Sequence, residues 1–215
     1  MRGILFKPDM IKAIAEGRKT QTRRLDSLKE INQELDKWVC QGNPYGIWRF
    51  DHKETHQRIV VRPRYQVGEV VYIKEAWAIK DCGNRVSLTK EAWTEGFPTN
   101  RLEYVLDAPE QYWWNKRSPL FMPEWAARYF LRITAVKVQR LQEMTWADCV
   151  AEGIIDKGND NFYSPDKPNL FYSVPQGAYA ELWDSINKKP GTRWADNPFV
   201  WVYSFEKVDK VRSSE

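Results

Sequence analysis

The sequence is poor in cysteine and histidine. Its 215 residues include three cysteines, Cys40, Cys82 and Cys149, and two histidines, His52 and His56. An odd number of widely spaced cysteines argues against a disulfide framework and fits a reducing compartment, so we predict a cytoplasmic protein. The group of Cys40, His52 and His56 lacks the second cysteine of a zinc-finger pair, so we predict no metal site.

Long apolar runs and the common nucleotide and hydrolase motifs are also missing. The longest apolar runs fall far short of the roughly 20 residues that cross a bilayer, so no membrane partner is expected. The chain turns polar at Lys7, which argues against a secretory signal. No G-x-G-x-x-G, Walker A, H-E-x-x-H or G-x-S-x-G motif occurs. These absences exclude the common dehydrogenases, P-loop NTPases, zincins and serine hydrolases, and no cofactor is expected.

Apolar and aromatic residues, in contrast, are plentiful. Apolar residues make up 42% and charged residues 29% of the chain, which suits a sizeable core and a soluble surface. The length suits one domain, which we place at 1–208, followed by a polar tail at 209–215. Because a small fold cannot bury all of the 11 Trp and 10 Tyr, some of them are candidates for stacking on nucleobases.

Basic residues fall in two clusters, although the formal net charge is only +4. One cluster, at 18–24, contains Arg18, Lys19, Arg23 and Arg24, and the other, at 58–64, contains three arginines. Each cluster is equally consistent with a solvated surface and with contacts to phosphate groups. Charge alone therefore does not identify a nucleic-acid partner.

Hydrophobic periodicity and capping residues predict short strands interspersed with short helices. A strand at 3–7 leads into a helix that begins at Pro8 and stops at Gly17. The remaining predicted elements are strands at 70–79, 102–106, 129–141 and 199–208, helices at 145–152 and 179–186, and connections at 26–66 and 156–175. Strands separated by short helices, without regular βαβ units, indicate an α+β protein with a small mixed β-barrel.

Lys19, Thr22 and Glu152 have complementary chemistry. The Thr22 hydroxyl is a weak nucleophile unless a neighbour accepts its proton. Lys19, three positions earlier, can accept it if its amine is neutral, and nearby arginines together with partial burial lower the pKa of a lysine. Glu152 falls in the last turn of a predicted helix, where the negative end of the helix dipole disfavours a carboxylate and favours a proton donor to a leaving group.

Each of these three residues also has a plainer interpretation. A lysine among arginines is often a phosphate or solvent contact, a threonine in a strand is often only a β-former, and a glutamate at a helix end is often a surface residue. The residues alone therefore leave a catalytic site and an ordinary basic surface both open.

Seven stretches of the sequence together resemble the ASCH family, a branch of the PUA-like barrels. They follow in order along nearly the whole chain: Lys7-Pro8, GRKTQTRR at 17–24, GEVVYIKEAW at 68–77, MPEWAAR at 122–128, AEGI at 151–154, LWDSIN at 182–187 and NPFVWV at 197–202. The resemblance is to the longer bacterial and phage members of the family. It implies a PUA-like small mixed β-barrel with flanking short helices and two long insertions, at 28–64 and 80–120.

The resemblance also implies an activity, because some ASCH proteins are amidohydrolases that remove the acyl group from N4-acetylcytidine. By this resemblance Thr22 attacks the acyl carbonyl, Lys19 activates the hydroxyl and Glu152 protonates the departing cytosine amine. The substrate is then an N4-acylated nucleobase or nucleoside, and the reaction uses no metal. An RNA-binding module and a metal-independent ribonuclease are the two alternatives, and both would use the same basic cleft.

Further side chains are expected to contact the substrate. They are three arginines, one glutamate and two tryptophans: Arg18, Arg23, Arg24, Glu75, Trp77 and Trp125. The arginines have two candidate roles, lowering the pKa of Lys19 and holding the ligand. Glu75, on an apolar strand face, is expected to bond the base or the Lys19 amine. A tryptophan stacked on the pyrimidine and a tryptophan buried in the core are equally good expectations.

Overall fold

The computed structural model describes residues 1–42, 47–79, 102–104 and 117–209, which form a mixed α+β fold of a few helices and several sheets. In chain order the elements are β1 (Arg2–Leu5), α1 (Pro8–Ala15), β2 (Gln21–Arg24), β3 (Trp38–Gln41), β4 (Trp48–His52), β5 (Arg58–Val61), β6 (Val70–Lys74), β7 (Trp77–Ile79), β8 (Leu102–Tyr104), β9 (Phe130–Arg140), α2 (Trp146–Ala151), β10 (Ile155–Asp156), β11 (Phe162–Tyr163), α3 (Pro175–Ile186) and β12 (Phe199–Val208). The chain divides into two compact units. Unit 1 comprises Met1–Ile11, Val70–Leu131 and Val208–Glu215, and unit 2 comprises Lys12–Glu69 and Arg132–Lys207.

Unit 1 contains the parallel pair of β1 and β6, with Gly3 opposite Tyr72. A second, antiparallel pair is formed by β7 and β8. Six buried residues make up an apolar cluster in this unit: Tyr72, Trp77, Met122, Ala126, Ala127 and Phe130. The strand predicted at 70–79 is two strands here, because residues 75 and 76 separate β6 from β7.

Unit 2 contains strand β2, which carries Arg23 and Arg24 of the basic cluster at 18–24, while Arg18 and Lys19 precede the strand. Strand β12 lies between β9 and β2, and β2 is the last strand of this sheet among the described residues. The pairing of β2 with β12 is antiparallel and places Thr22 opposite Tyr203 and Arg24 opposite Trp201. Helix α2 contacts both β2 and helix α3. The end of α2, where Glu152 lies, is thereby brought to the strand that carries Thr22.

Several of the predicted elements are confirmed. The strands predicted at 129–141 and 199–208 are β9 and β12, and the helices predicted at 145–152 and 179–186 are α2 and α3. The connection predicted at 26–66 contains an antiparallel sheet of β3, β4 and β5, which the sequence did not indicate. β4 does alternate, with Trp48, Phe50 and His52 on one face and Arg49 and Asp51 on the other, but the polar composition and the Gly and Pro residues of this segment outweighed so short a pattern.

Strand pairing in the described part of the chain yields open sheets and no closed barrel, so the predicted small barrel is not confirmed. Much of the insertion predicted at 80–120 lies outside the described residues, and so do Cys82 and residues 210–215 of the predicted tail. None of the helices described here combines the length and the apolar character that crossing a membrane requires.

Candidate functional site

The turn after helix α1 and a backbone hydrogen bond to helix α2 bring Lys19 to the end of α2. After α1 the chain turns at Gly17, whose φ of 77° is in the left-handed region that favours glycine, and the amides of Arg18 and Lys19 both donate to the Ala13 carbonyl. The amide of Thr20 then donates to the carbonyl of Ala151, in the last turn of α2, at 2.8 Å. Lys19 therefore lies beside Glu152 although 133 positions separate them.

The Lys19 amine forms a short, buried ion pair with Glu152. Its Nζ donates to the carboxylate Oε2 of Glu152 at 2.6 Å and to the backbone carbonyl of the same residue at 2.7 Å. The side chain of Lys19 is 0% exposed and that of Glu152 is 3% exposed. Charged groups are seldom buried to this degree unless they are paired, and buried pairs contribute little to stability, which makes a functional role the first hypothesis.

Burial is the main reason why the pKa of Lys19 is lowered from its ordinary value. The carboxylate of Glu152 acts in the opposite direction, and the positive charges of Arg24 and Arg23 add smaller lowering contributions. The direction predicted from the sequence is confirmed. The order of causes differs, because desolvation of the amine has a larger effect than the arginines.

Arg23 approaches the same carboxylate from the other side. Its Nη1 donates to Glu152 Oε1 at 3.0 Å and to Gln21 Oε1 at 2.8 Å, and its Nη2 lies 3.3 Å from Asp148 Oδ2. The guanidinium is 0% exposed. Among the described residues, neither Nε nor Nη2 of Arg23 has a hydrogen-bond partner. Each oxygen of the Glu152 carboxylate therefore faces one cation, Lys19 at Oε2 and Arg23 at Oε1.

Tyr179 of helix α3 completes this buried cluster. Burial raises the pKa of its hydroxyl well above the ordinary value, and the negative charge of Glu152 adds to the effect. The Arg23 guanidinium lies 5.9 Å from the centre of the tyrosine ring. The sequence placed Tyr179 on the core-facing stripe of its helix but did not indicate its place at the site. The nearby thiol of Cys149 is not a candidate nucleophile, because burial raises its pKa to about 12.

Thr22 is a buried residue of β2. Successive strand residues point to opposite faces, so Thr22 shares a face with Arg24, while Gln21 and Arg23 lie on the other. Within the described residues no hydrogen bond joins the Thr22 hydroxyl to Lys19 or to Glu152. The positive charges of both Arg23 and Arg24 act on Lys19, so the amine lies within electrostatic range of side chains from both strand faces.

The other arginines of the basic clusters have different surroundings. Arg18 is exposed and pairs with Glu16, its neighbour two positions earlier. Arg58 is 61% exposed and pairs with Asp51 at 3.1 Å. Arg24 is half-buried on β2. The clusters therefore do not form one uniform cationic surface.

Glu75, Trp77 and Trp125 belong to unit 1 and are described within it. The Glu75 carboxylate is 1% exposed and accepts two hydrogen bonds from Arg128, each 2.8 Å long. Trp77 is 2% exposed, and its ring meets that of the half-buried Trp125 edge-on, with centres 5.8 Å apart. The contacts described for these side chains within unit 1 include an ion pair, core packing and an Arg117 guanidinium 5.4 Å from the centre of the Trp77 ring.

No cluster of three or more His, Cys, Asp or Glu side chains suited to a metal ion occurs in the residues that the structure describes. His52 has a local structural role, because its Nδ1 accepts hydrogen bonds from the backbone amides of Glu54 and Thr55. The side chains joined at the site are thus a lysine, an arginine, two carboxylates and a tyrosine, which together are able to transfer protons and stabilise charge.

No family model matches this sequence, and no curated protein and no solved structure is significantly similar to it. The resemblance to the ASCH family therefore stays a prediction that rests on the sequence motifs.

Proposed function

We propose that this protein is a metal-independent amidohydrolase of ASCH type that removes the acyl group from N4-acylated cytosine or cytidine. The observation that carries the proposal is the buried hydrogen bond of 2.6 Å between the Lys19 amine and the Glu152 carboxylate. One proton moved along this bond yields a neutral amine, which is a base, and a carboxylic acid, which is a proton donor. The lowered pKa of Lys19 favours that transfer.

In the proposed reaction the Lys19–Glu152 pair holds one proton, so it supplies both the base and the acid, and no other base is required. The Thr22 hydroxyl oxygen attacks the acyl carbonyl carbon while Lys19 accepts the hydroxyl proton. Glu152 gives its proton to the cytosine N4, the C–N bond breaks, and the acyl group remains on Thr22 as an ester. The proton on Lys19 then returns to Glu152, Lys19 takes a proton from water, and the resulting hydroxide attacks the ester carbonyl. Glu152 reprotonates the Thr22 oxygen as the carboxylic acid leaves.

The cheapest test is an ultraviolet assay of purified protein with N4-acetylcytidine, with and without EDTA. Conversion to cytidine that EDTA does not reduce is the expected result. Absence of turnover for the free base, the nucleoside and several acyl groups would rule the proposal out. Micromolar or tighter RNA binding that weakens with salt would favour the RNA-binding module instead. The structure gives that alternative less support, because Arg23 is buried and Arg18 and Arg58 are ion-paired.

A substitution at Gly153 tests whether the backbone turn after Glu152 keeps the Lys19–Glu152 ion pair in position. Its φ of 99° ends helix α2, and a Cβ at this position would contact the Lys19 side chain at 3.5 Å. Gly153→Ala is expected to destabilise the fold by about 1 to 2 kcal/mol through backbone strain, and to lower turnover of N4-acetylcytidine because relief of that strain moves the adjacent Glu152. Gly158→Ala is the matched control, because Gly158 has a φ of 79° and nothing lies near its Cβ position. Urea unfolding and the ultraviolet assay measure the two effects, and equal loss of activity in both variants would contradict this role.

A further inference from the structure

Arg23 was expected to contact the substrate, and in the structure its guanidinium contacts Glu152, Gln21 and Asp148. It lies on the face of β2 opposite to Thr22, is 0% exposed, and directs its Nη1 to Glu152 Oε1. Its Nη1 donates to both Glu152 and Gln21 and is therefore already engaged in hydrogen bonds within the protein. Arg23 thereby touches the residue that, in the proposed function, donates the proton.

We propose that Arg23 is a positioning residue that fixes the second oxygen of Glu152 and sets the pH range in which the Lys19–Glu152 pair holds a single proton. The inference rests on the proposed function, since one shared proton is what makes Lys19 a base and Glu152 an acid at the same time. Arg23 acts on the substrate only through Glu152.

The geometry of the carboxylate is the first support. Lys19 occupies Oε2 at 2.6 Å and Arg23 occupies Oε1 at 3.0 Å, so rotation of the carboxyl group would break one bond or both. Gln21 Oε1 shares the same Nη1 donor at 2.8 Å and holds the guanidinium in place. The oxygen that faces Lys19 is thereby kept constant, which a proton transfer between the two groups requires.

The charges around the pair are the second support. The cations are Arg23 and Arg24 on β2. The anion on α2 is Asp148, and the positive charge of Lys137 acts on its carboxylate. Tyr179 of α3 and Cys149 of α2 also face the cluster and stay neutral, because burial raises the pKa of each. A guanidinium 3.0 Å from one oxygen of the pair therefore makes the pair bind its proton less tightly.

The cost of burying Arg23 is the third support. Its Nε and Nη2 have no hydrogen-bond partner in the described part of the chain, and unsatisfied buried donors are destabilising. An apolar side chain at this position would avoid that cost, but it would leave the carboxylates of Glu152 and Asp148 with one cation fewer. A charged group kept at such a position is better explained by what its charge does to the neighbouring pair.

The test is a pH titration of the Lys19 side chain by heteronuclear NMR, with the resonance assigned by its loss in Lys19→Met. Arg23→Gln retains a donor for Glu152 but removes the charge, and its titration is expected to move to higher pH, by less than the shift that burial causes, because Arg23 contributes less than burial to the lowered pKa of Lys19. Arg23→Lys restores the charge and is expected to return the titration toward that of the wild type. The pH profile of N4-acetylcytidine hydrolysis should shift in the same direction.

Arg132→Gln is the control, since Arg132 pairs with Glu206 at 3.2 Å on the surface of the same unit and should leave the titration unchanged. If Arg23→Gln does not fold, Asp148→Asn tests the same charge balance, and it should move the titration to lower pH. Unchanged titrations in these variants would overturn the inference, even in an active enzyme. A shifted titration in a protein that hydrolyses no acylated cytosine would instead overturn the proposed function and leave the effect of Arg23 standing.

Discussion

Replacing Lys19 with methionine is expected to lower kcat for N4-acetylcytidine by about 10²- to 10⁴-fold, the usual contribution of a general base. Methionine retains the length and apolar stem of the side chain but cannot accept the Thr22 proton. The matched control is Lys207→Met, because Lys207 lies in the same unit and donates its amine to the Ala15 carbonyl at the surface. Steady-state kinetics of the two variants provide the measurement. Loss of activity in neither, or equally in both, would remove Lys19 from the mechanism.

Lys19→Met should remain folded, which makes its kinetics interpretable. The folded pKa of Lys19 is lowered below its value of 10.5 in the unfolded chain, so between these two pH values the unfolded state binds more protons. Stability contributed by this group therefore rises as the pH increases through that window, and below it the buried ammonium is unfavourable. Removing the group abolishes that penalty, while Arg23 still neutralises the remaining carboxylate. Urea unfolding at neutral pH checks this expectation.

The sequence predicted the elements with strong local signals. Proline at the start of α1, glycine after α1 and α2, and the Thr145–Asp148 capping box all have effects within one helical turn, and the structure contains both sides of that capping box. β12 was predictable from its aromatic residues alone, and it is buried along most of its length. The sheet of β3, β4 and β5 was not, because its strands have only four or five residues each and lie in a polar segment with several Gly and Pro residues, where the pairing between strands is what identifies them.

The sequence predicted the site residues that have suitable chemistry and lie at helix ends. It did not predict the contacts that depend on strand register or on helix packing. Lys19 follows the glycine that ends α1, and Glu152 precedes the glycine that ends α2. The structure joins the two side chains by a hydrogen bond. Which face of β2 Arg23 would occupy depends on the register of β2 against β12, and sequence spacing does not contain this information. The part of Tyr179 in the cluster required the docking of α3 on α2, a contact between helices distant in sequence.

Thr22→Ala is the second prediction with a large effect, because it removes the protein atom that forms a covalent bond to the acyl group in the proposed reaction. A fall in kcat of more than about a thousandfold is expected, since residues that act as one catalytic unit fail together. Thr22→Ser keeps a hydroxyl and should recover part of the rate. Thr20→Ala is the matched control, because Thr20 is the exposed threonine of the same segment. Mass spectrometry of the wild type with a slow acyl substrate should detect an ester on Thr22.

The outcome for Thr22 also decides which face of β2 receives the substrate. Thr22 lies opposite Tyr203 and shares its face with Arg24, whereas Arg23 and Gln21 lie on the other. If Thr22→Ala and Lys19→Met fail together, the substrate must reach Lys19 from the Thr22 face. If Lys19→Met alone fails, Thr22 is not the nucleophile, and a water molecule activated by Lys19 takes its place. The double variant separates these cases, because it loses no more than either single variant only when both residues act in one step.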